Sequence, residues 1–481
     1  MVKRIILLLD GTWNDIDAGP TDTNIVRMRG LISRHLVRTS SPRHSGGGGC
    51  NKKVHGYTKG GKEHIIYYER GVGTGPFDRF RGGALGEGLT QNIRHAYKFL
   101  SFWYEPGDQI FIYGFSRGAY TARSLVGYLG AAGLLLRDNC NEELEALAWR
   151  YYRTPPNDRM PADWRRLTDN AHDRDELRVK LLGVFDTVGA LGIPARIAWR
   201  LNRDENGFHD VELSSITDVN LHALAIDEHR WPFEATLWRQ PPFKKYETTV
   251  EQVWFSGAHA DVGGGYIVEE TRDPKAAYAD DITLDWMIKR TKHFYPDFPC
   301  DLDPNDEAIT DREHASLHNS RRNIYHAWPF AIRSIANCKT EASFWRHQKE
   351  VSRDRHARPI GEMVHISALE RFLPGKSASP IGERYMAANL TKVIAGIKET
   401  YGRAPGGDGT PGRSELGQRK PTFELPVVDW NGKKITSDCT RVEYLRELLA
   451  RQTDKSQSIF GFARLWPTAQ TPQSAKPSAR F

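Results

Sequence analysis

One five-residue stretch constrains this chain more than any other. Gly114-Phe115-Ser116-Arg117-Gly118 follows the apolar run Gln109–Phe115 directly and precedes the small-residue segment from Ala119 to Gly130. A strand entering and a helix leaving imply a tight turn that holds a serine hydroxyl above a sheet edge. Glycine at 114 and 118 leaves room for the neighbouring strand and helix. The backbone N–H of Arg117, close to the helix N-terminus, is then able to face a developing oxyanion. The plain alternative is an ordinary strand-to-helix turn with serine as its N-cap; the flanking pattern favours the elbow.

The same alternation runs through the first two-thirds of the chain. Ile5–Leu9 is a continuous apolar run closed by Asp10-Gly11-Thr12, the form of a strand buried on both faces. His64–Glu69 reads as a second strand, and Leu89 to Tyr104 carries a helical stripe at Ile93, Ala96, Tyr97, Leu100 and Trp103. Val179–Phe185 and Gln252–Phe255 are two more short apolar strands, each followed by polar or small turn residues. Strands separated by helical stretches predict an α/β fold, with a mainly parallel sheet and helices on both faces. Beyond about Cys300 the alternation fades into helical or irregular sequence rich in Arg, His and Trp. The expected organisation is a catalytic domain over 1–300 with a flexible loop over about 40–61, a mostly helical cap or accessory region over 301–466, and a disordered tail over 467–481.

Composition narrows the class. With 39 % hydrophobic and 26 % charged residues among 481, the chain has ample material for a core, so wholesale disorder is excluded. The formal net charge of +7 is mild and its charges are interspersed, which predicts no nucleic-acid partner but is compatible with anionic surfaces. Five scattered cysteines without a CxxC pair suggest neither a disulfide framework nor a zinc site. The apolar run after Met1 is too short for a signal peptide and no stretch is long enough to span a membrane. The expectation is a protein that is soluble and cytoplasmic as synthesised.

A serine needs a base, and the base needs an orienting carboxylate. In the order serine, acid, histidine, Asp186 follows the Val179–Phe185 strand and His259 follows Gln252–Phe255 in a glycine-rich turn, Gly257 to Gly265. Open α/β sheets bind ligands outside their carboxyl strand ends, so both residues suit the elbow's edge. Asp261 is a competing acid that could instead brace the His259 loop. Asp227 and His229, read here as lying in a helical stretch, could line the pocket, pack structurally or compete for the triad. His222, His365 and the remaining histidines read as structural or surface residues. Arg117 and Arg123 are candidates for pairing with a lipid phosphate, or equally for helix-surface salt bridges. A second oxyanion donor is expected from the N–H of Gly11 or Thr12, with Asp10 as an alternative anchor of that loop. The turn does not fit an aspartyl phosphatase, because Leu8 stands where a second aspartate is required. Gly71 to Gly75 lacks the partners of a nucleotide loop and reads as a close-packed turn.

Six stretches then occur in one order: Leu-Asp-Gly-Thr-Trp-Asn at 9–14, Tyr-Glu-Arg-Gly-Val-Gly-Thr-Gly at 68–75, Gly-Phe-Ser-Arg-Gly-Ala-Tyr-Thr-Ala-Arg at 114–123, Gly-Val-Phe-Asp-Thr-Val-Gly at 183–189, His-Ala-Leu-Ala-Ile-Asp-Glu-His-Arg at 222–230, and Gly-Ala-His-Ala-Asp-Val-Gly-Gly-Gly-Tyr at 257–266. Together they resemble the α/β-hydrolase domain of type VI secretion phospholipase effectors of the first lipase-effector class. The resemblance covers roughly residues 1–300 and continues more faintly at 364–371 and 384–390. It implies a serine esterase with phospholipase A activity on glycerophospholipids, with Ser116 as nucleophile, Asp186 as acid and His259 as base. It also implies no cofactor and no metal. Its partners would be a phospholipid membrane surface, a secretion spike protein and an immunity protein, with export by a type VI system into a target cell. The remaining readings are a hydrolase of a non-lipid ester and a non-catalytic module of the same fold that binds lipid or protein.

Overall fold

The structure, a computed structural model, describes residues 2–11, 22–38, 52–58, 60–69, 71, 82–188, 213–230, 233–239, 247–265, 278–302, 315–320, 331–336, 360–372, 385, 387–401, 425–436 and 441–450. The strands are β1 (Arg4–Leu9), β2 (Leu36–Arg38), β3 (Lys52–Thr58), β4 (Glu63–Glu69), β5 (Gln109–Phe115), β6 (Val179–Phe185), β7 (Thr217–Ala225), β8 (Thr249–Phe255), β9 (Glu362–His365) and β10 (Val427–Val428). They form one ten-stranded sheet in the order β10-β9-β8-β7-β6-β5-β1-β4-β3-β2. Among the described strands, the pairings from β4 across to β10 are parallel and those of β2 with β3 and β3 with β4 are antiparallel. The chain leaves β1 toward β4 on one side and later resumes at β5 on the other. The order therefore reverses at β1, the place where open α/β sheets form a ligand crevice.

Helices cover both faces. They are α1 (Asn24–Arg34), α2 (Gly82–Trp103), α3 (Arg117–Ala132), α4 (Glu142–Arg153), α5 (Pro161–Thr168), α6 (His259–Gly263), α7 (Ala279–Phe294), α8 (Ile366–Phe372), α9 (Ala388–Tyr401) and α10 (Arg441–Ala450). Alternate residues of each central strand feed opposite cores, which is why the strands read as unbroken apolar runs. Ile5, Leu7, Ile110 and Ile112 pack with α2, α3 and α4. Ile6, Leu8 and Phe111 pack with α1 and α7. At the other end of the sheet, Leu224, Trp254 and Val364 pack with α8, α9 and α10.

Three expectations change. The stretch read as helical around residue 227 begins with a strand, β7, and Asp227 and His229 follow its end. Asn220 and His222 interrupt the apolar pattern of that strand, yet both are buried and hydrogen-bonded, Asn220 to Thr217 and Thr248, His222 to Thr187 and Gln252. The loop expected over 40–61 contains β3, which pairs antiparallel with both β2 and β4 near one margin of the sheet; Ser40 to Cys50, with its four glycines, lies outside the described residues, as does the tail over 467–481. Finally, β9 and β10 come from beyond residue 300 and extend the same sheet. Among the described residues, no helix is long and apolar enough to cross a membrane.

Candidate active site

Ser116 sits between β5 and α3 with φ 57° and ψ −120°, a backbone conformation that costs roughly 1–3 kcal/mol and persists only where its surroundings enforce it. The enforcement is visible. Ser116 N–H donates to the Phe185 carbonyl, continuing the sheet ladder past the strand end, and its own carbonyl accepts from Tyr120 N–H inside α3. At Gly118 an added Cβ would stand 2.2 Å from the Leu9 carbonyl oxygen, so the first turn of α3 lies directly on the end of β1. Only glycine permits that approach, since backbone cannot move aside.

His259 opens α6, just past the end of β8, and reaches the elbow from above. Its Nε2 is 2.8 Å from Ser116 Oγ and its Nδ1 2.6 Å from Asp186 Oδ2. A carboxylate only accepts, so Nδ1 carries the proton, and Nε2 is left to accept from the serine hydroxyl. Phe115 and Phe233 pack their rings against the imidazole at 4.7 and 5.1 Å. Burial pushes the imidazole toward neutrality and Asp186 offsets only part of that, so His259 titrates below the ordinary 6.5. The three side chains are nearly or fully buried, Ser116 at 7 %, His259 at 6 % and Asp186 at 0 % exposed.

Asp186 occupies a positive-φ position after β6, with φ 40°. Its Oδ1 accepts from Ala225 N–H at 3.0 Å and its N–H donates to the Ala223 carbonyl, so the end of β7 holds it. The residue that sequence reasoning missed is Arg333. Its guanidinium grips both carboxylate oxygens of Asp186, Nη1 to Oδ1 at 2.5 Å and Nη2 to Oδ2 at 2.9 Å. Burial alone would raise the Asp186 carboxyl; Arg333 and His259 outweigh it and hold the group below the usual carboxylate range. The one local hint is an arginine between Ile332 and Ile335, an apolar setting where a charge needs a partner.

The remaining sequence candidates surround the site without entering the serine–histidine–aspartate chain. Asp261 accepts from Ala258 N–H and from His318, bracing the start of α6 rather than reaching His259 Nδ1. Asp227 accepts from Gly257 N–H at 2.6 Å and from the Tyr385 hydroxyl at 2.7 Å, tying the ends of β7 and β8 together. His229 exchanges hydrogen bonds with the backbone of Ala331. Neighbouring Glu228 is buried, pairs with Arg230, and accepts from the His259 backbone N–H at 3.3 Å. His222 lies beneath the turn, where its Nε2 accepts from Thr187 N–H; burial brings its pKa down to about 3, so it is neutral. His365, at the end of β9, packs between Phe255 and Trp430 as a structural residue. Arg123 is not a phosphate ligand: it is buried, donates to the Thr236 carbonyl and lies 4.9 Å over Trp238.

The loop after β1 differs from expectation in one respect. Arg117 is the first residue of α3, whereas Gly11 N–H donates to Asp10 Oδ1 at 2.7 Å and is spent there. A backbone donor makes one strong bond at a time, so Asp10 acts as the anchor of the loop. Thr12 and residues 72–76 lie outside the described residues. Asp10 also accepts from the Tyr68 and Thr23 hydroxyls, and burial raises its pKa to about 7. Between the unfolded value of 3.8 and about 7 the folded state therefore holds a proton that the unfolded chain releases. Stability contributed by this group is complete at low pH and is lost as pH rises, by at most roughly 1.4 kcal/mol per pH unit. Asp10→Asn should remove that slope, so that denaturant melts at pH 5 and pH 7 favour the variant increasingly at the higher pH. Parallel profiles for the two proteins would refute a protonated Asp10.

A family model described as the catalytic domain of type VI secretion phospholipase effectors, Tle1-like, matches residues 3–290. The chain belongs to this family. The elbow, the Asp186 turn and the His259 turn all fall inside the Tle1-like match, whereas Arg333 falls beyond it. The uncharacterised protein YEL023C of Saccharomyces cerevisiae is 27 % identical over 263 residues, 50 % of this chain and 33 % of that one. An uncharacterised protein from Pseudomonas aeruginosa of known structure is 18 % identical, covering 65 % of this chain and 49 % of that chain, with a TM-score of 0.38. The solved Tle1 effector bound to the VgrG spike of the type VI secretion system is 19 % identical, covering 56 % of this chain and 52 % of that chain, with a TM-score of 0.29. The chain thus spans about a third of the yeast relative and about half of each solved chain.

Proposed function

We propose that this Tle1-like domain is a serine hydrolase with phospholipase A activity, cleaving an acyl ester of glycerophospholipids through Ser116, His259 and Asp186. The observation that carries the reading is the unbroken hydrogen-bond chain from Ser116 Oγ through the imidazole to Asp186, assembled from the carboxyl ends of three strands. Ser116 Oγ attacks the ester carbonyl carbon while Nε2 takes its proton. Asp186 keeps the proton on Nδ1 and stabilises the imidazolium that forms. The N–H of Arg117, at the positive end of α3, stabilises the tetrahedral oxyanion. The leaving alcohol, a lysophospholipid, takes the proton from Nε2. Water, activated by the same imidazole, then releases the fatty acid and restores the serine.

Membership of a phospholipase effector family supports the lipid substrate, and the mild net charge of +7 suits an anionic lipid surface. Membership of an effector family, with a Tle1 effector solved bound to a VgrG spike, supports a spike protein as this chain's delivery partner; delivery into a target cell and an immunity protein in the producer complete the proposal. A fluorophosphonate probe followed by a panel of defined phospholipids tests the enzymatic core. Labelling at Ser116 together with release of fatty acid and lysophospholipid is expected. Labelling without lipid hydrolysis would move the substrate to a non-lipid ester, and no labelling would leave a binding module.

A further inference from the structure

We propose that Arg333 is a positioning residue of this active site: it fixes the Asp186 carboxylate in the orientation that receives His259 Nδ1–H. The inference rests on the triad reading above and extends it to a residue beyond the family match. Arg333 is 4 % exposed and directs both terminal nitrogens of its guanidinium at this corner of the sheet. Besides the two bonds to Asp186, Nη1 donates to the Ala225 carbonyl at 2.8 Å and Nη2 to the Phe233 carbonyl at 2.6 Å. A planar fork with two fixed bonds to each side holds a carboxylate in one orientation, which an ammonium cannot do.

The arginine is itself held from three directions. Ala331 N–H donates to the His229 carbonyl, and the His229 ring returns a bond to the Ala331 carbonyl. Asn389, buried at the start of α9, donates to the carbonyls of both Arg333 and Ile226, joining the segment to the end of β7. Ala336 N–H donates to Glu362 on β9. The segment 331–336 is thus part of the active-site wall. The sequence stretch 384–390 acquires a physical account as well: Tyr385 secures Asp227 and Asn389 secures Arg333.

The electrostatic consequence has a definite sign. Asp186 favours protonated His259, and Arg333, ion-paired to the same carboxylate, offsets part of that favour. Among the described residues, the other charges acting on His259 are Glu228, which favours the proton, and Arg230, which opposes it; both remain when Arg333 is changed. Arg333→Met should therefore move the acid limb of the kcat/KM profile to higher pH. It should also lower kcat by about 100-fold, the scale of a displaced catalytic group. Arg333→Lys keeps the charge but not the fork, so its acid limb should coincide with that of the wild type while kcat still falls.

The test measures hydrolysis of a p-nitrophenyl short-chain ester from pH 5 to pH 9 for the full chain and both variants, with melting temperatures and the rate of fluorophosphonate labelling. A residue that only stabilised the fold would lower the melting temperature and leave the pH limb where it was. An unshifted limb or a wild-type kcat in Arg333→Met overturns the proposal. If that variant does not fold, a wild-type kcat in Arg333→Lys overturns it. Failure of the wild-type chain to label at Ser116 would instead sink the triad reading itself, so the two failures are distinguishable.

Discussion

Ser116→Ala is expected to reduce turnover of acyl esters by about 10⁶-fold in kcat, to the level left by binding and oxyanion stabilisation alone. The hydroxyl is the only atom lost, and it is the atom 2.8 Å from His259 Nε2. Stability should change little. The strained backbone at residue 116, with φ 57°, is imposed by Gly118 on β1 and by the ladder bond to Phe185, neither of which involves the side chain. Ester hydrolysis measured beside a thermal melt therefore separates chemistry from folding. Turnover within tenfold of the wild type in a normally folded variant would remove Ser116 as nucleophile.

Asp186→Asn is expected to lower kcat by about 10⁴-fold, for a reason that the surrounding bonds make specific. Arg333 donates toward both carboxylate oxygens, so the amide oxygen of an asparagine would turn toward the guanidinium. Its NH₂ would then face His259 Nδ1, which must accept rather than donate. The ring proton moves to Nε2, where it points at Ser116 and cannot accept the hydroxyl proton. Stability should fall too. Arg333 would keep its carbonyl partners but lose its counter-charge, and breaking a buried pair from one side costs about 3–5 kcal/mol. Activity near the wild-type level, or an unchanged urea midpoint, would contradict this arrangement.

Much of the catalytic corner was legible because local sequence encodes it. A strand buried on both faces reads as an unbroken apolar run, and a strained turn demands glycines on either side of the serine. Ser116, Asp186 and His259 each stand just past such a run, so their shared sheet edge followed from pattern alone. β7 was not legible. Asn220 and His222 break its pattern, and apart from Thr217 the partners that make their burial tolerable, Thr187, Thr248 and Gln252, are distant in sequence. The donor expected at Gly11 failed for a similar reason. Whether an N–H is available depends on which acceptor the fold brings to it, and here that is the carboxylate of the preceding residue.

The sequence by itself determined the α/β architecture of the first 300 residues, the strained serine turn and the order of the three polar side chains. These follow from apolar periodicity and from the steric needs of glycine, both properties of neighbours along the chain. The tertiary structure alone decided that Arg333 grips Asp186, that burial pushes the Asp10 carboxyl up to about 7, and that strands from beyond residue 300 extend the sheet. Buried charges are governed by desolvation and by partners brought together across 147 residues of chain, as Arg333 and Asp186 are, and no local pattern carries that information.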